Sequence, residues 1–599
     1  MTWDTDGTLV DLTRQRARSA TAARGYTFVS GTGVPKARLS FAELDLRARA
    51  VAVELGRVAR PGSRALLHYE PGLDFLIGFF GCLYAGVIAV PAAPLEGTSA
   101  DSATAARLRA ILRSAGPDVV LTTSPDTRPA PALLAESGLS GLTRVDTDLV
   151  DPGLAAGWSP PHIDENSVAY LQYSSGSTGE PKGVVITHRN VLHNLRIIAE
   201  LLEVDEDTHG CFWLPMFHDM GLVSGGLMPL LAGGDVTLMA PMTFLQRPHV
   251  WLSALSRPRS VTAAPNFAYD HCVSRLSDRQ RTTLDLSGWT CAIVGAERVR
   301  TSTLERFAGA FRPVGFREEA FLPCYGLAES VLMVTGGRLD LPAAAVRVDR
   351  DALARGRARL DPGPGTSGDV GPADATVSLV GAGSVRPGLD VVVADPDTLR
   401  PRPAGELGEV LVAGPSVGAG YWSAPAQTAH TFGVTVPGRT GSFLRTGDVG
   451  MFLDGELYIT GRVKDLIIVG GRNHHASDLE ATVETSHEAL RPGFCAVVSV
   501  DDGDGERVVV LAEVVARSLR VPADRAALTA ADITTSIRRD VSAVHGVRVS
   551  DVLLLRPGSL PFTSSGKLQR FACRRGYVEG KFTASRALMA SRDDLGGVA

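Results

Sequence analysis

The run YSSGSTGEPKG at positions 173 to 183 constrains this chain more than any other stretch, because small hydroxyl and glycine residues followed by a lysine make a loop suited to wrapping a polyphosphate. Gly176, Gly179 and Gly183 carry no Cβ and permit positive φ, so backbone N–H groups there can approach phosphate oxygens closely. An apolar strand signal, Val168-Ala-Tyr-Leu-Gln172, precedes the loop, and a second, Gly183-Val-Val-Ile186, follows it. The unit is therefore strand-loop-strand. A Walker-type phosphate loop needs Gly-Lys-Ser/Thr opening a helix, whereas Lys182 sits between Pro181 and Gly183. Taken alone, the run also reads as a plain Ser/Gly surface turn.

At 599 residues the chain exceeds one compact core, so at least two domains are expected, with room for a site between them. Its seven cysteines form no CxxC pair and are odd in number, which disfavours both a zinc ribbon and a disulfide framework and suits a reducing cytosol. A net charge of −5 gives no electrostatic case for nucleic acid as a partner. The N-terminal stretch is acidic and lacks an apolar centre, so export is not expected. Phe75 to Leu95 is uncharged and long enough to span a membrane, yet Gly78, Gly81, Gly86 and Pro91 divide it into a helix and a short strand. We read it as a buried α/β unit, with no integral membrane association.

From about residue 40 to 340, β-branched runs such as Arg64–His68, Asp118–Leu121, Val236–Met239, Ser260–Ala263 and Ala292–Val294 alternate with helical patterns at Phe41–Val58 and Ser102–Ser114. That alternation predicts a layered α/β architecture. Residues 340 to 375 break into Pro/Gly-rich, charged sequence that suits an inserted surface module or a loop. Strands then crowd together at Val377–Val380, Leu389–Val393, Gly408–Val412, Phe443–Arg445 and Glu456–Ile459, predicting an antiparallel or barrel-like subdomain. Beyond Gly461 the pattern returns to mixed α/β and ends in a polar tail. A C-terminal domain of about 130 residues is a plausible size.

Five further motifs follow the loop in order: WLPMFHDMGL at 213 to 222, CYGLAES at 324 to 330, RTGDVG at 445 to 450, GRVKDLIIVGGRN at 461 to 473 and PFTSSGKLQR at 561 to 570. Together they resemble the adenylate-forming superfamily of acyl-CoA synthetases, adenylation domains and luciferases. The strings PMTFLQRPHVWLSAL, SVTAAPNFAYD at 260 to 270, AERVRTSTLERFAGAF at 296 to 311 and NHHASDLEATVE at 473 to 484 look most like the fatty acyl-AMP ligases, which hand acyl groups to carrier proteins. The resemblance implies a large N-terminal domain, 1–461, of two layered α/β subdomains and a barrel-like subdomain at about 376–460. It also implies a small mobile α+β C-terminal domain, 462–599, hinged at about 462–466. Residues 340 to 375 fall where that branch carries an insertion. One departure is that many of its members replace the loop lysine, whereas this chain keeps Lys182, as coenzyme A ligases commonly do.

The implied chemistry is in-line attack of a carboxylate oxygen on the α-phosphorus of ATP, which asks for positioning and neutralisation of phosphate charge. By resemblance, Ser174, Ser175, Gly176, Ser177, Thr178, Gly179 and Lys182 would hold the β- and γ-phosphates. Glu329 would bind Mg²⁺, since a hard divalent ion suits one carboxylate plus phosphate oxygens and waters; its plain reading is a solvated helix-start glutamate. Tyr325, beside Gly326, would stack on adenine or else be a core tyrosine. Asp448 would accept the ribose hydroxyls, with Arg462 beside it. Gly295, Ala296 and Glu297 would wall the adenine side. Lys567, in a Ser/Gly-rich turn, would reach across to the substrate carboxylate and phosphate, and Lys464 would be the hinge on which it moves. His218 would orient the carboxylate or gate the acyl site, unless it is structural.

Met216, Phe217, Met220, Leu222, Met228, Met242, Phe244 and Phe267 are candidate acyl-lining residues. No acidic residue for an amino group is evident, so the substrate expected is a fatty or other aliphatic carboxylic acid. The acceptor expected is the phosphopantetheine thiol of an acyl carrier protein acting in trans, with coenzyme A as the alternative and a noncatalytic nucleotide-binding module as the remoter one. Arg570, Arg574, Arg575 and Lys581 form a basic stretch suited to an acidic carrier helix or to a solvated tail.

Overall fold

In the computed structural model the described residues are 7–95, 103–124, 141–174, 181–361, 375–469, 472–501, 506–515, 523–562 and 568–582. Two large sheets with parallel interiors dominate. One has six strands in the order Thr143–Asp146, Val119–Thr122, Arg64–Leu67, Ile88–Pro91, Val168–Ser174 and Lys182–Thr187, with the last pair antiparallel. The other has nine, and its parallel centre runs Phe321–Gly326, Trp289–Gly295, Ser260–Pro265, His209–Phe212, Val236–Met239 and Gly25–Val29. Their central strands are near-continuous apolar runs because both faces are covered, as parallel sheets require.

The uncharged stretch from Phe75 divides as the sequence implied, into the helix Asp74–Ala85 and the strand Ile88–Pro91. Phe75, Leu76, Ile77, Phe79 and Phe80 are all buried, and the helix stops where Gly86 takes the left-handed conformation (φ 67°) that closes its last turn. Among the described residues, no helix is long and apolar enough to cross a membrane. All seven cysteines are unpaired.

The crowded strands form an antiparallel meander of four, Asp390–Ala394, Gly408–Ala413, Leu444–Leu453 and Glu456–Arg462. Ahead of it, Ala345–Asp349 pairs antiparallel with Thr376–Val380, and a short helix Arg350–Ala354 follows the first of these strands. The segment expected as a loop or module is thus partly a hairpin; its residues 362–374 lie outside the described ones. After a second hairpin, Leu466–Val469 with Arg472–His475, comes a three-stranded sheet of Leu490–Asp501, Glu506–Val514 and Val549–Leu555. Helices Ala476–Thr485 and Ala523–His545 pack on it around Leu479, Val483, Ile533 and Val541, a core separate from that of the large sheets. Arg298 reaches from the large sheets to Asp478 of this part, and Arg300 to Glu484 at 2.9 Å.

Five buried histidines, His68, His188, His209, His475 and His545, are held at a pKa of about 4 by loss of water around the charged ring. Two of them use a ring nitrogen as acceptor: His68 Nε2 takes the Leu95 N–H and His188 Nδ1 the Leu9 N–H, each at 3.2 Å. These rings stay neutral in the fold, while the unfolded chain protonates them near the ordinary value of 6.5. Protons therefore favour the unfolded chain, and stability is expected to fall as pH drops from 6.5 to about 4. Replacing His68 by Gln and His188 by Asn keeps an acceptor that takes no proton. Calorimetry should then show a shallower fall of Tm over that range; an unchanged slope would show that His68 and His188 are not the source of the acid sensitivity.

Candidate active site

Three elements converge on one cleft. The first is the hairpin of Val168–Ser174 and Lys182–Thr187, whose register pairs Ser174 with Lys182 at the mouth of the phosphate-type loop. Ser175, Gly176, Ser177, Thr178 and Gly179 lie outside the described residues. The Lys182 ammonium stands 5.0 Å from the centre of the Tyr421 ring. Burial lowers its pKa, the nearby charge of Lys464 lowers it further, and Glu329 opposes both. Lys182, Lys464 and Glu329 thus share one electrostatic environment.

The second element carries Glu329. Strand Phe321–Gly326 ends in Tyr325-Gly326, and a single 3₁₀ turn, Ala328–Ser330, follows. Gly326 admits no side chain, since a Cβ would stand 1.6 Å from the Leu332 carbonyl oxygen. Val331 closes the turn at φ 64°, ψ −65°, with the Leu332 N–H donating to the Ser330 carbonyl at 2.7 Å. This is a strained three-residue turn, and a β-branched residue held in it costs about 1 to 3 kcal/mol. Such strain persists because Val331 is fully packed, and it aims the half-buried Glu329 carboxylate at the Tyr421 hydroxyl, which donates to Oε1 at 2.9 Å. Desolvation pushes the Glu329 pKa up, against hydrogen bonds from its backbone and from Tyr421.

The third element is the meander. Asp448 and Arg462 are cross-strand partners, and the buried Asp448 carboxylate accepts from Arg462 Nε at 2.8 Å and from the Tyr325 hydroxyl at 2.7 Å. Asp448 is the main cause of the raised Arg462 pKa. A carboxylate offers about four lone-pair positions. Two further acceptor positions therefore remain on Asp448, which is what a diol needs.

Gly295 ends the strand Trp289–Gly295, and Ala296 follows it in a left-handed conformation (φ 67°). Glu297 turns toward the start of helix Asn266–Arg275, where its Oε1 accepts the Phe267 N–H at 2.9 Å, a favourable place for a negative charge. On the acyl side, His218 is half-buried with its ring 5.0 Å from that of Phe217, whose carbonyl accepts from Gln172 Nε2 at 2.9 Å. A π-helical stretch, Gly221–Leu227, follows. Met220, Leu222, Met228 and Phe244 are buried, and Met216, Phe217 and Phe267 half-buried. Met242 is a correction: at 48 % exposed it faces solvent and lines no interior space. Among the described residues, Tyr170 Oη, Gln172 Oε1 and Trp213 Nε1 are buried without a hydrogen-bond partner.

Lys567 lies outside the described residues, but its flanks are fixed. Phe562 and Leu568 form an antiparallel bridge, and the Gln569 N–H donates to the Pro561 carbonyl at 3.0 Å. Arg570, expected in a solvent-facing basic stretch, turns inward instead. It donates from Nε and Nη2 to the two oxygens of buried Glu480 at 2.8 and 2.6 Å, and from Nη1 to Asp465 at 3.0 Å. The 3₁₀ turn Val463–Asp465 holding Lys464 is thereby tied to the chain just past Lys567. Sequence reading missed this fork and missed Tyr421; the signal for the latter was a Tyr-Trp pair behind Gly418-Ala-Gly420.

Comparison with known proteins agrees with this geometry. Residues 16–422 match the AMP-binding enzyme family, and residues 464–587 match the AMP domain of the Disco-interacting protein 2-like family. The chain belongs to the AMP-binding enzyme family. Within it, a medium-chain fatty acid–acyl-carrier-protein ligase of Moorena producens is 39 % identical over 96 % of this chain and 95 % of its own. A long-chain fatty acid–AMP ligase of Mycolicibacterium smegmatis is 36 % identical over 92 % of this chain and 91 % of its own. The solved fatty acyl-adenylate ligase of Legionella pneumophila, in complex with acyl adenylate and pyrophosphate, superimposes with a TM-score of 0.71 at 33 % identity, covering 96 % of each chain. This member of the family therefore sits among the fatty acyl-AMP ligases.

Removing Arg570 leaves the buried Glu480 without its counter-charge, so Arg570→Ala is expected to destabilise the fold by about 3 kcal/mol, the lower end of the range for broken buried pairs because the arginine is partly exposed. Adding Glu480→Gln should restore at least half of that. Urea unfolding measures both, and additive losses would contradict a coupled pair.

Proposed function

We propose that this chain converts a fatty acid and ATP into an acyl-adenylate and pyrophosphate, then passes the acyl group to the phosphopantetheine thiol of a separate acyl carrier protein. The observation that carries this reading is that Lys182, Lys464 and Glu329 act on one another and lie near the Asp448–Arg462–Tyr325 set, whose Arg462 also acts on Glu329. The charge of Lys464 disfavours the protonated form of Lys182, and two ammonium groups so placed favour a polyanion between them. A carboxylate with acceptor positions to spare suits a ribose diol.

In this reading Ser174 to Gly179 and Lys182 take the β- and γ-phosphates, Tyr325 and Gly326 with Gly295 and Ala296 take adenine, and Asp448 with Arg462 takes the ribose. Glu297, engaged at Phe267, buttresses the adenine side. Glu329 offers one hard oxygen donor, and among the described residues no cluster of three His, Cys, Asp or Glu could hold a metal alone. That donor set fits Mg²⁺, whose remaining ligands are phosphate oxygens and water. When bound, Mg²⁺ neutralises phosphate charge as pyrophosphate departs. Lys567 holds the substrate carboxylate against the α-phosphorus, and His218 orients that carboxylate. Residues 1–461 and 462–599 act as two domains, with Lys464 in a hinge at about 462–466 whose rotation withdraws Lys567 and admits the carrier thiol, and with the insertion of the branch at about 340–375. A thiol ionises readily near neutral pH, so no dedicated base is required. The unpaired cysteines support a cytoplasmic location.

Pyrophosphate exchange with a panel of acids tests the first step, and saturated aliphatic acids are expected to exceed amino acids. Lys567→Ala should lower that exchange about 100- to 1,000-fold, the usual effect of removing one positioned donor; near-normal exchange would remove Lys567 from the chemistry. Retention of Lys182 favours coenzyme A as a second acceptor. Incubating the enzyme with ATP, acid and either holo-carrier or coenzyme A separates the two, and carrier loading is expected to be the faster by at least ten-fold.

A further inference from the structure

Tyr421 touches both Lys182 and Glu329. Its backbone is stitched to the strand that begins with Lys182: Val185 N–H donates to the Gly420 carbonyl at 2.9 Å, Trp422 N–H to the Gly183 carbonyl at 2.8 Å, and Tyr421 bridges Val184. From there the side chain crosses to another sheet. Its hydroxyl donates to Glu329 Oε1 at 2.9 Å, and its ring face receives the Lys182 ammonium at 5.0 Å. The ring has little freedom, because Phe432 packs edge-on against it at 5.0 Å and the Tyr421 N–H donates to Thr428 Oγ1 at 2.9 Å. Next to it, Gly418 N–H donates to the Glu329 carbonyl at 2.9 Å. One short segment therefore grips the backbone beneath Lys182 and the carboxylate of Glu329 together.

An ammonium and a carboxylate sharing a poorly hydrated cleft attract strongly. Direct contact would spend each on the other: the lysine would be drawn from any phosphate, and the carboxylate from any cation. A tyrosine separates them with a neutral donor for one and a π face for the other, each a weaker bond than an ion pair and so displaceable or compatible with a ligand. We propose that Tyr421 is a positioning residue that holds Glu329 and Lys182 apart and aimed, so that the carboxylate is available to a divalent cation and the ammonium to a polyphosphate. This rests on the nucleotide reading above and adds to it a residue and a division of labour: the hydroxyl serves the cation, the ring serves the lysine.

The experiment measures binding on the full-length chain, without turnover. ATP affinity is determined calorimetrically in EDTA and again with saturating Mn²⁺ as the spectroscopic stand-in, whose paramagnetic resonance reports the bound ion directly. Tyr421→Phe keeps the ring, its contact with Phe432 and its face for Lys182. It is expected to weaken Mn²⁺–ATP binding about ten-fold and to leave ATP in EDTA within two-fold of the wild type. Tyr421→Leu removes the ring as well, and both constants should rise. In the Glu329→Gln background the Tyr421→Phe change should add nothing to the Mn²⁺–ATP constant, because the hydroxyl acts through that carboxylate. Equal weakening with and without the metal, or a full additional effect on Glu329→Gln, would overturn the proposal by making Tyr421 a general packing residue. A wild-type chain with no affinity for ATP under either condition would overturn the nucleotide reading itself, and this inference with it.

Discussion

The physical constraint on which this structure turns is that opposite charges share one poorly hydrated cleft without neutralising each other. Lys182 meets the Tyr421 ring and Glu329 the Tyr421 hydroxyl, whereas Asp448 takes its ionic partner Arg462 directly. Asp448 is the instructive exception. Its pairing with Arg462 is fixed by strand register, so the arginine stays partly open to solvent while the carboxylate is buried. The acid keeps acceptor capacity because Arg462 and the Tyr325 hydroxyl come to it from separate strands, one to each oxygen. Burial disfavours the charged forms of Lys182 and Glu329.

The elements were legible in the sequence to the extent that burial dictated them. Val236–Met239 matches the expected strand end to end, and Arg64–Leu67, Val119–Thr122 and Gly408–Ala413 lie within a residue or two, because a strand covered on both faces is a dense apolar run. The phosphate-side hairpin was legible for a second reason, the glycine-rich interruption between two such runs. Phe443–Arg445 fell short, since the real strand continues to Leu453 through Gly447 and Asp448, residues whose types disfavour a strand and whose place in it comes from pairing with Glu456–Arg462. Tertiary pairing overrode local preference there, at the very residue proposed to meet the ribose.

Site residues divide along the same line. Asp448, Arg462, Tyr325 and Glu329 could be named in advance because their motifs are compact, but what each touches could not. Nothing in the sequence places Tyr421 beside Lys182, since 239 positions separate them and the backbone pairing of Gly420–Trp422 with Gly183–Val185 forms only in the fold. Met242 illustrates the opposite error: methionine near an aromatic cluster suggests lining, yet its helix, Pro241–Gln246, turns Phe244 inward and Met242 out. Arg570 was misplaced because a run of basic residues reads as a solvated face until a buried carboxylate is found opposite one of them.

The contacts that bind the C-terminal part fall into two kinds, and their difference bears on how it works. Within that part, Arg570 joins Asp465, Glu480 and the segment that flanks Lys567, around a carboxylate removed from water. Breaking such a fork strands a buried charge, so these pieces move as one body. Between that body and the rest of the chain, the ion pairs among the described residues include Arg298 with Asp478, Arg300 with Glu484 and, from the short helix Arg350–Ala354, Asp351 with Arg472. Those pairs range from the largely buried Arg298–Asp478 to the solvent-exposed Arg472–Asp351, where water can replace the partner at small cost. A unit tied together through Arg570 links the 3₁₀ turn at Lys464 to the chain at Leu568 and Gln569, which is the coupling that the proposed roles of Lys464 and Lys567 require.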